Sequence, residues 1–292
     1  MQITGKTRLV GVFGFPVRHS LSPQMHNAAF RALGLDWCYV AFEVAPAALE
    51  AAVKAIRALN LAGVNVAIPH KSAVMNLMDE VHELARLTGA ANTVTNKGGR
   101  LEAYNTDVEG FREALRRSGV ATGGKKAVVL GAGGAARAVA VSLALGGASR
   151  VMVAGRRVER AEGLARLARE VCAGRLQTEA VAWEQQAIRA AVRSADILIN
   201  CTPVGMYPRQ HEGLPIEAEW LGPHMAVCDL VYHPRRTGLL RMAEKAGCKA
   251  VEGVRMLVHQ GAASFRLWTG EQPPVEVMEQ ALARELENAG AG

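Results

Sequence analysis

Gly131, Gly133 and Ala136, in "VVLGAGGAARAVA", form a G-x-G-x-x-A series that follows an apolar strand pattern and opens a helical one. In that setting the glycines permit a tight turn and let backbone approach a pyrophosphate, whose charge sits at the positive amino end of the helix. Ala132, Gly134 and Ala135 complete the same turn. The next strand ends in "VAGRRVER", with Arg156, Arg157 and Arg160 and no acid before Glu159. A site for NAD carries an acidic residue there, on the order of 20 residues downstream, to bind the ribose 2′-OH. Arginines would instead hold a 2′-phosphate by bidentate hydrogen bonds, so NADP is the expected cofactor. The bland alternatives are a turn packed for its own sake and a solvated basic helix start.

A second candidate stands at the end of another strand. "GVNVAIPHKS", residues 63–72, starts as an interior strand, is stopped by Pro69, and delivers Lys71 to a carboxyl edge, where open parallel sheets bind ligands. Taken alone, Lys71 also fits an exposed first-turn lysine, and Ser22, just ahead of Pro23, fits an ordinary N-cap.

These residues need a scaffold of alternating strands and helices, which is the pattern of βαβ units around a mostly parallel sheet. Strands are expected over Leu9–Phe15, Trp37–Val44 and Gly63–Ile68, with helices over Pro23–Leu33 and Pro46–Leu59. "ANTVTNKGGRLEAYNTD" breaks the rhythm as a hairpin around Lys97–Arg100. Thr106 and Glu109 have capping-box spacing for a helix to Arg117, and glycine-bearing Ser118–Lys126 reads as a linker. Further strands are expected in "KAVVLG", "SRVMVAG", "ADILINCTP", "MAVCDLVY" and "CKAVEG", then helices over Val254–Trp268 and Pro274–Asn288. The class is α/β with two domains: residues 1–107, a Rossmann-type domain over 108–247, and a segment 248–292 returning to the first.

Length and composition agree. At 292 residues, 50% of them hydrophobic, two lobes are the default. The net charge of +7 comes from scattered Lys and Arg, with no like-charge block and no interleaved aromatics, which argues against nucleic acid and for small anions. Five widely spaced cysteines without a CxxC pair fit a reducing cytoplasm, and no His/Cys pattern has metal-ligand form, so no metal is expected. Ala127–Ala148 is apolar enough to raise a membrane span, but Arg137 in its middle and its glycines make strand, turn and helix the better reading.

With a dinucleotide half in place, seven fragments in order resemble the shikimate dehydrogenase family: "HSLSPQMHNAAF", "NVAIPHK", "GAANTV", "YNTD", "GAGGAAR", "NCTPVGM" and "VEGVRMLVHQGAASF". The resemblance runs from about residue 8 to the final helix. It implies two α/β domains with the active site in the cleft between them, and NADPH-dependent reversible reduction of 3-dehydroshikimate to shikimate, a step of aromatic amino-acid biosynthesis. It further implies a monomer or homodimer.

By the resemblance, Lys71 and Asp107 are the catalytic pair. Hydride addition to a ketone creates an alkoxide, and a lysine ammonium supplies both the proton and a nearby positive charge. Asp107 would orient it. The resemblance gives Ser20 and Ser22 to the substrate carboxylate, Asn92 and Gln260 to ring hydroxyls, Tyr232 to the region of the carboxylate, and Thr202 to Met206 with Gly253 to the nicotinamide. Asn105 is a weaker candidate, and His70 has no matched role and reads as partly exposed scaffold. Where many members carry threonine, this chain has Ala67; the missing hydrogen bond is worth roughly 0.5–1.5 kcal/mol and opens the question of substrate breadth. Two other readings stand beside this one: a quinate/shikimate dehydrogenase linked to NAD, which the arginines oppose, and a silent NADP sensor, which has no need of Lys71 and Asp107.

Overall fold

A computed structural model describes residues 3–290, and the chain divides into two compact units, residues 1–106 with 258–292, and residues 107–257. The expected segments also include residues 1, 2, 291 and 292, which lie outside the described residues.

The first unit contains β1 (Arg8–Gly14), α1 (Ser22–Ala32), β2 (Trp37–Glu43), α2 (Leu49–Ala58), β3 (Gly63–Val66), β4 (Glu80–Val81), α3 (Glu83–Thr88), β5 (Thr93–Lys97) and β6 (Arg100–Tyr104). Its sheet has the order β2-β1-β3-β5-β6-β4. β1 pairs in parallel with β2 and β3, while β5 runs antiparallel to β3 and β6. The expected hairpin is there: Gly98 and Gly99 both have positive φ, 62° and 92°, as a tight two-residue turn matched to strand twist demands. Phe13, Val53, Ile56, Val64, Val66 and Leu101 pack one core against this sheet. The loop from Gly14 to Ser22 and the loop from Ala67 to Ser72 leave the carboxyl ends of β1 and β3, which are hydrogen-bonded neighbours.

The second unit holds α4 (Asp107–Arg117), β7 (Lys126–Leu130), α5 (Gly134–Leu145), β8 (Arg150–Ala154), α6 (Val158–Val171), β9 (Gln177–Val181), α7 (Gln185–Arg193), β10 (Ile197–Asn200), β11 (Ala226–Asp229), α8 (Gly238–Lys245) and β12 (Lys249–Glu252). Its order, β12-β11-β10-β7-β8-β9 with every pairing parallel, is that of a doubly wound dinucleotide-binding sheet. α5 is rich in alanine, and Ala136, Ala138, Val139 and Ala140 are all fully buried, so the helix lies close on the strands. β9 escapes the sequence pattern because it is an edge strand with polar, exposed Gln177 and Glu179.

α9 (Gly253–Thr269) and α10 (Val275–Gly290) complete the chain. The expected break at 248 is displaced. Lys249–Glu252 pairs with β11 as the outer strand of the second sheet, so the return to the first unit falls inside α9, at Val258. Likewise Asp107 opens the second unit as the first residue of α4.

Candidate active site

In the second sheet the strand order reverses between β7 and β10, and ligands bind such sheets where that reversal opens a crevice at the carboxyl ends. A cavity of about 710 Å³ lies there, walled by Gly131, Ala132, Gly133, Arg156, Arg157, Arg160 and Thr202 among others. Gly131 is glycine for two reasons. Its φ is +106°, and a Cβ would stand 3.1 Å from Thr202 Cγ2 and 3.2 Å from the Cys201 carbonyl carbon. Gly133 caps α5 in extended conformation, and a Cβ there would meet nothing within 4 Å, leaving the helix start open to a bound group.

All three arginines are exposed on the wall, and none forms an ion pair with another described residue. The one acid among the lining residues, Glu212, is 3.4 Å from Arg209. The donor set therefore fits a dinucleotide with an additional phosphate. Gly134 and Ala135 lie just behind the wall, in the first turn of α5. Gly253 is required by packing, since a Cβ would come 2.6 Å from the Leu230 carbonyl oxygen. Pro203 and Val204, from the expected Thr202–Met206 stretch, also line the cavity, as do Trp183 and the stretch Glu212–Pro215, which come from separate loops and carry no local signature.

On the first unit, the substrate-side candidates share a buried network of neutral groups. Asn92 Nδ2 donates to Gln260 Oε1 at 3.1 Å, and Asn92 Oδ1 accepts from the Thr106 backbone N–H at 2.7 Å. Ser264, one helical turn past Gln260 and fully buried, receives Asn65 Nδ2 at 3.0 Å. Its Oγ lies 2.8 Å from Thr93 Oγ1 and 3.2 Å from Thr106 Oγ1, and it donates to the Gln260 carbonyl at 3.0 Å. Asn65 Oδ1 in turn accepts from the Tyr39 hydroxyl at 2.8 Å, which lies beside Ser22. Burial pushes the Tyr39 phenol up from its ordinary value, so it stays a donor. Asn65, Tyr39, Thr93 and Ser264 were not singled out by sequence, and Thr106 only for its capping-box spacing, because nothing local distinguishes a buried hydroxyl or amide from a surface one.

Lys71 is half-buried just past β3, and its carbonyl accepts from Ala91 N–H at 2.7 Å, which ties the lysine's backbone one residue from Asn92. Asp107 is buried, directly after Thr106. Ser22 is the first residue of α1, while Leu21 occupies the N-cap position, so the simple N-cap role does not apply. The Ser22 N–H is instead 3.3 Å from Ser20 Oγ, which draws the two serines together ahead of Pro23. His70 is 2% exposed and not partly exposed scaffold: its Nε2 is 2.7 Å from the Val44 carbonyl, pinning the Lys71 turn to the residue that follows β2. Asn105 is also inward, donating to Thr88 Oγ1 and the Ala90 carbonyl, each at 2.9 Å, so it braces the Ala90–Asn92 segment. In the second unit Tyr232 is half-buried, and burial raises its phenol.

Glu80, His82 and Glu102 bring ligand-type atoms within 4.8 Å of one another. That group is already neutralised from within: Lys97 Nζ is 2.8 Å from Glu102 and Arg100 is 2.7 Å from Glu80. Burial opposes the Glu102 carboxylate, but hydrogen bonds from Lys97, Tyr104 and His82 outweigh it and hold the group at about 2.

A parallel sheet wound in dinucleotide order, with a glycine-rich turn and an arginine wall at its carboxyl edge, in a chain that also carries a second α/β unit, defines a pyridine-nucleotide oxidoreductase. Residues 12–94 match the family described as shikimate dehydrogenase substrate binding domain, 113–210 that of shikimate / quinate 5-dehydrogenase, and 253–283 the shikimate 5′-dehydrogenase C-terminal domain. Shikimate dehydrogenase (NADP(+)) of Methanopyrus kandleri is 48% identical over 287 residues, covering 98% of each chain. The enzyme of the same name from Methanothermobacter thermautotrophicus is 49% identical over 284 residues, 97% of this chain and 99% of that one. Among solved structures, a shikimate dehydrogenase in complex with NADP+ superposes with a TM-score of 0.91 at 40% identity, covering 98% of each chain. The chain belongs to the shikimate dehydrogenase family.

Proposed function

We infer that this chain catalyses the reversible NADPH-dependent reduction of 3-dehydroshikimate to shikimate, with Lys71 as proton donor paired with Asp107. The observation that carries the residue assignment is the tie between Ala91 N–H and the Lys71 carbonyl, which puts the lysine next to Asn92 and its partners Thr106 and Gln260. NADPH, when bound, supplies the hydride. Gly131, Gly133 and the α5 amino end would hold its pyrophosphate, Arg156, Arg157 and Arg160 its 2′-phosphate, and Thr202 the nicotinamide end.

On the substrate side, Ser20 and Ser22 would hold the carboxylate at the start of α1, helped by the exposed amides and dipole there. Asn92 and Gln260 would read the ring hydroxyls, and Tyr232 would close on the carboxylate. As hydride adds to the carbonyl carbon, the Lys71 ammonium stabilises the developing alkoxide and then donates its proton to that oxygen. Asp107 orients the ammonium. In the oxidative direction the neutral amine takes the hydroxyl proton back. No helix among the described residues is long and apolar enough to cross a membrane, and all five cysteines are free, which supports a cytoplasmic location. A homodimer is the assembly to test by sedimentation.

The deciding experiment measures NADPH oxidation with 3-dehydroshikimate for wild type and Lys71→Ala, with quinate and NAD in parallel. Loss of the general acid should lower kcat by about 10²- to 10⁴-fold with the KM for NADPH little changed. Equal, slow rates from both proteins, or quinate turnover matching that of shikimate, would overturn the assignment.

A further inference from the structure

Past the carboxyl ends of β10 and β11 run two loops, one carrying Thr202 and the other Tyr232. The last residues of those strands, Asn200 and Asp229, are register partners and both are essentially inaccessible, at 0% and 1% exposure. A charged residue in that position is costly unless every lone pair finds a donor. Asp229 Oδ1 accepts from Asn200 Nδ2 at 2.8 Å and from the Val231 backbone N–H at 3.0 Å. Asp229 Oδ2 accepts from Thr237 Oγ1 at 2.6 Å. Thr237 is 1% exposed and is also the N-cap of α8, accepting from Leu240 N–H at 3.2 Å.

The chemistry of the network extends to the cavity wall. With its amide nitrogen committed to Asp229, Asn200 is fixed in one orientation and presents Oδ1 to the other side. That oxygen accepts from the Thr202 backbone N–H at 2.9 Å and from Thr202 Oγ1 at 2.7 Å, and Thr202 Oγ1 accepts from Val204 N–H at 3.2 Å. Thr202, Pro203 and Val204 all line the nucleotide cavity. The loop from Leu230 to Thr237 is stapled at both ends by the one carboxylate, at Val231 on one side of Tyr232 and at Thr237 on the other. Outside, Arg235 Nε is 2.6 Å from Glu252 and Arg236 Nε 3.4 Å from it, so the loop is gripped from two faces.

We propose that Asp229 is a positioning residue for the reaction: its single buried carboxylate sets the place of the Thr202 wall through Asn200 and the place of Tyr232 through Val231 and Thr237. It touches neither substrate nor cofactor. The proposal deepens the functional reading given above and rests on it for the roles of Thr202 and Tyr232. The two arms of the network are separable, which a general stabilising role would not be. Asn200→Ala cuts the Thr202 arm and leaves the Thr237 contact; Thr237→Val keeps the shape and cuts the other arm.

The experiment combines NADPH binding followed by fluorescence titration without substrate, steady-state kinetics in both substrates, and thermal melts, on the full chain. Asn200→Ala should weaken NADPH binding at least tenfold with the KM for shikimate within twofold of wild type. Thr237→Val should raise the KM for shikimate at least fivefold with NADPH binding within twofold, and Thr237→Ser should restore it. Asp229→Asn, which keeps the volume, should move both. Equal shifts of both parameters in Asn200→Ala and Thr237→Val, or melting temperatures that fall with both parameters unchanged, would overturn the proposal. Because the titration needs no substrate, a wild type that binds NADPH but does not act on shikimate would refute the functional reading while the Asn200 arm is still tested.

Discussion

The cavity wall of the second unit and the polar network of the first are built from opposite materials. Gly131 to Gly133 and Arg156 to Arg160 are two short stretches of chain whose charges stand exposed on a cavity wall. Asn92 and Gln260, in contrast, are 168 residues apart, and Ser264 and Asn65, 199 apart, yet each pair is joined by a hydrogen bond between uncharged groups. The first arrangement attracts a polyanion, where Coulombic pull matters and exact placement matters less. On the proposed reading the second tells one ring hydroxyl from another, which needs donors and acceptors held at fixed angles. Unpaired partners there would be costly, and that cost is what gives a hydrogen-bonding site its selectivity.

The contrast can be broken first at the arginines. Arg156→Ala combined with Arg157→Ala should raise the KM for NADP by about 10- to 100-fold, two charge-assisted bonds lost, while activity with NAD holds. The same binding should weaken with salt, whereas the KM for shikimate should respond little to the arginine changes. Kinetics with both nucleotides across ionic strengths check this.

The neutral interior can be tested by acid. His26 is fully buried, stacked on Tyr39 at 4.5 Å between centroids, and neither ring nitrogen has a hydrogen-bond partner among the described residues. Burial lowers it from 6.5 to about 3. The unfolded chain therefore binds a proton that the folded chain refuses. Stability is complete above about 6.5 and declines as pH falls towards 3, by about 1.4 kcal/mol per pH unit. Glu102, held at about 2, adds a second loss in the same direction as pH drops from its ordinary range. Denaturant melts between pH 8 and 4 should show this slope, and His26→Phe should flatten the part above Glu102's range.

A smaller effect is expected at Ser264. Replacing it by Ala removes one acceptor from Asn65 Nδ2, which keeps the Asn92 carbonyl at 3.0 Å and Thr93 Oγ1 at 3.1 Å, and it removes a contact from Thr93 Oγ1 and Thr106 Oγ1, each of which keeps Asn92 Oδ1 at 3.2 Å. The KM for shikimate should rise about fivefold, in line with about 1 kcal/mol for one buried hydrogen bond, with NADPH binding unchanged. Smallest of all, Ala67→Thr should lower the KM for shikimate roughly threefold if the restored hydroxyl reaches the substrate, one bond at the low end of its net worth. An unchanged KM would show that the hydroxyl finds no partner there.

Much of the architecture was legible in the chain. The alternation of apolar strands and amphipathic helices, the Gly98–Gly99 hairpin and the turn at Gly131 all depend on φ angles and periodicities that a few neighbouring residues set. β9 was not, because an edge strand needs little apolar surface, and the late return at Val258 was not, because only pairing with β11 decides that Lys249–Glu252 belongs to the second sheet. His70 shows the same limit: a histidine beside a proline gives no sign that the Val44 carbonyl awaits it.

By itself, then, the sequence determined the class of fold, the dinucleotide turn, the preference for a phosphorylated cofactor and the lysine at a strand's end, since each rests on local geometry or on the charge of adjacent side chains. Only the tertiary structure decided which serines, threonines, asparagines and aspartates join those the resemblance named. Ser264 and Asp229 acquire their meaning from partners that strand register and helix packing bring to them, and from burial, which turns an ordinary polar group into one whose every hydrogen bond must be met.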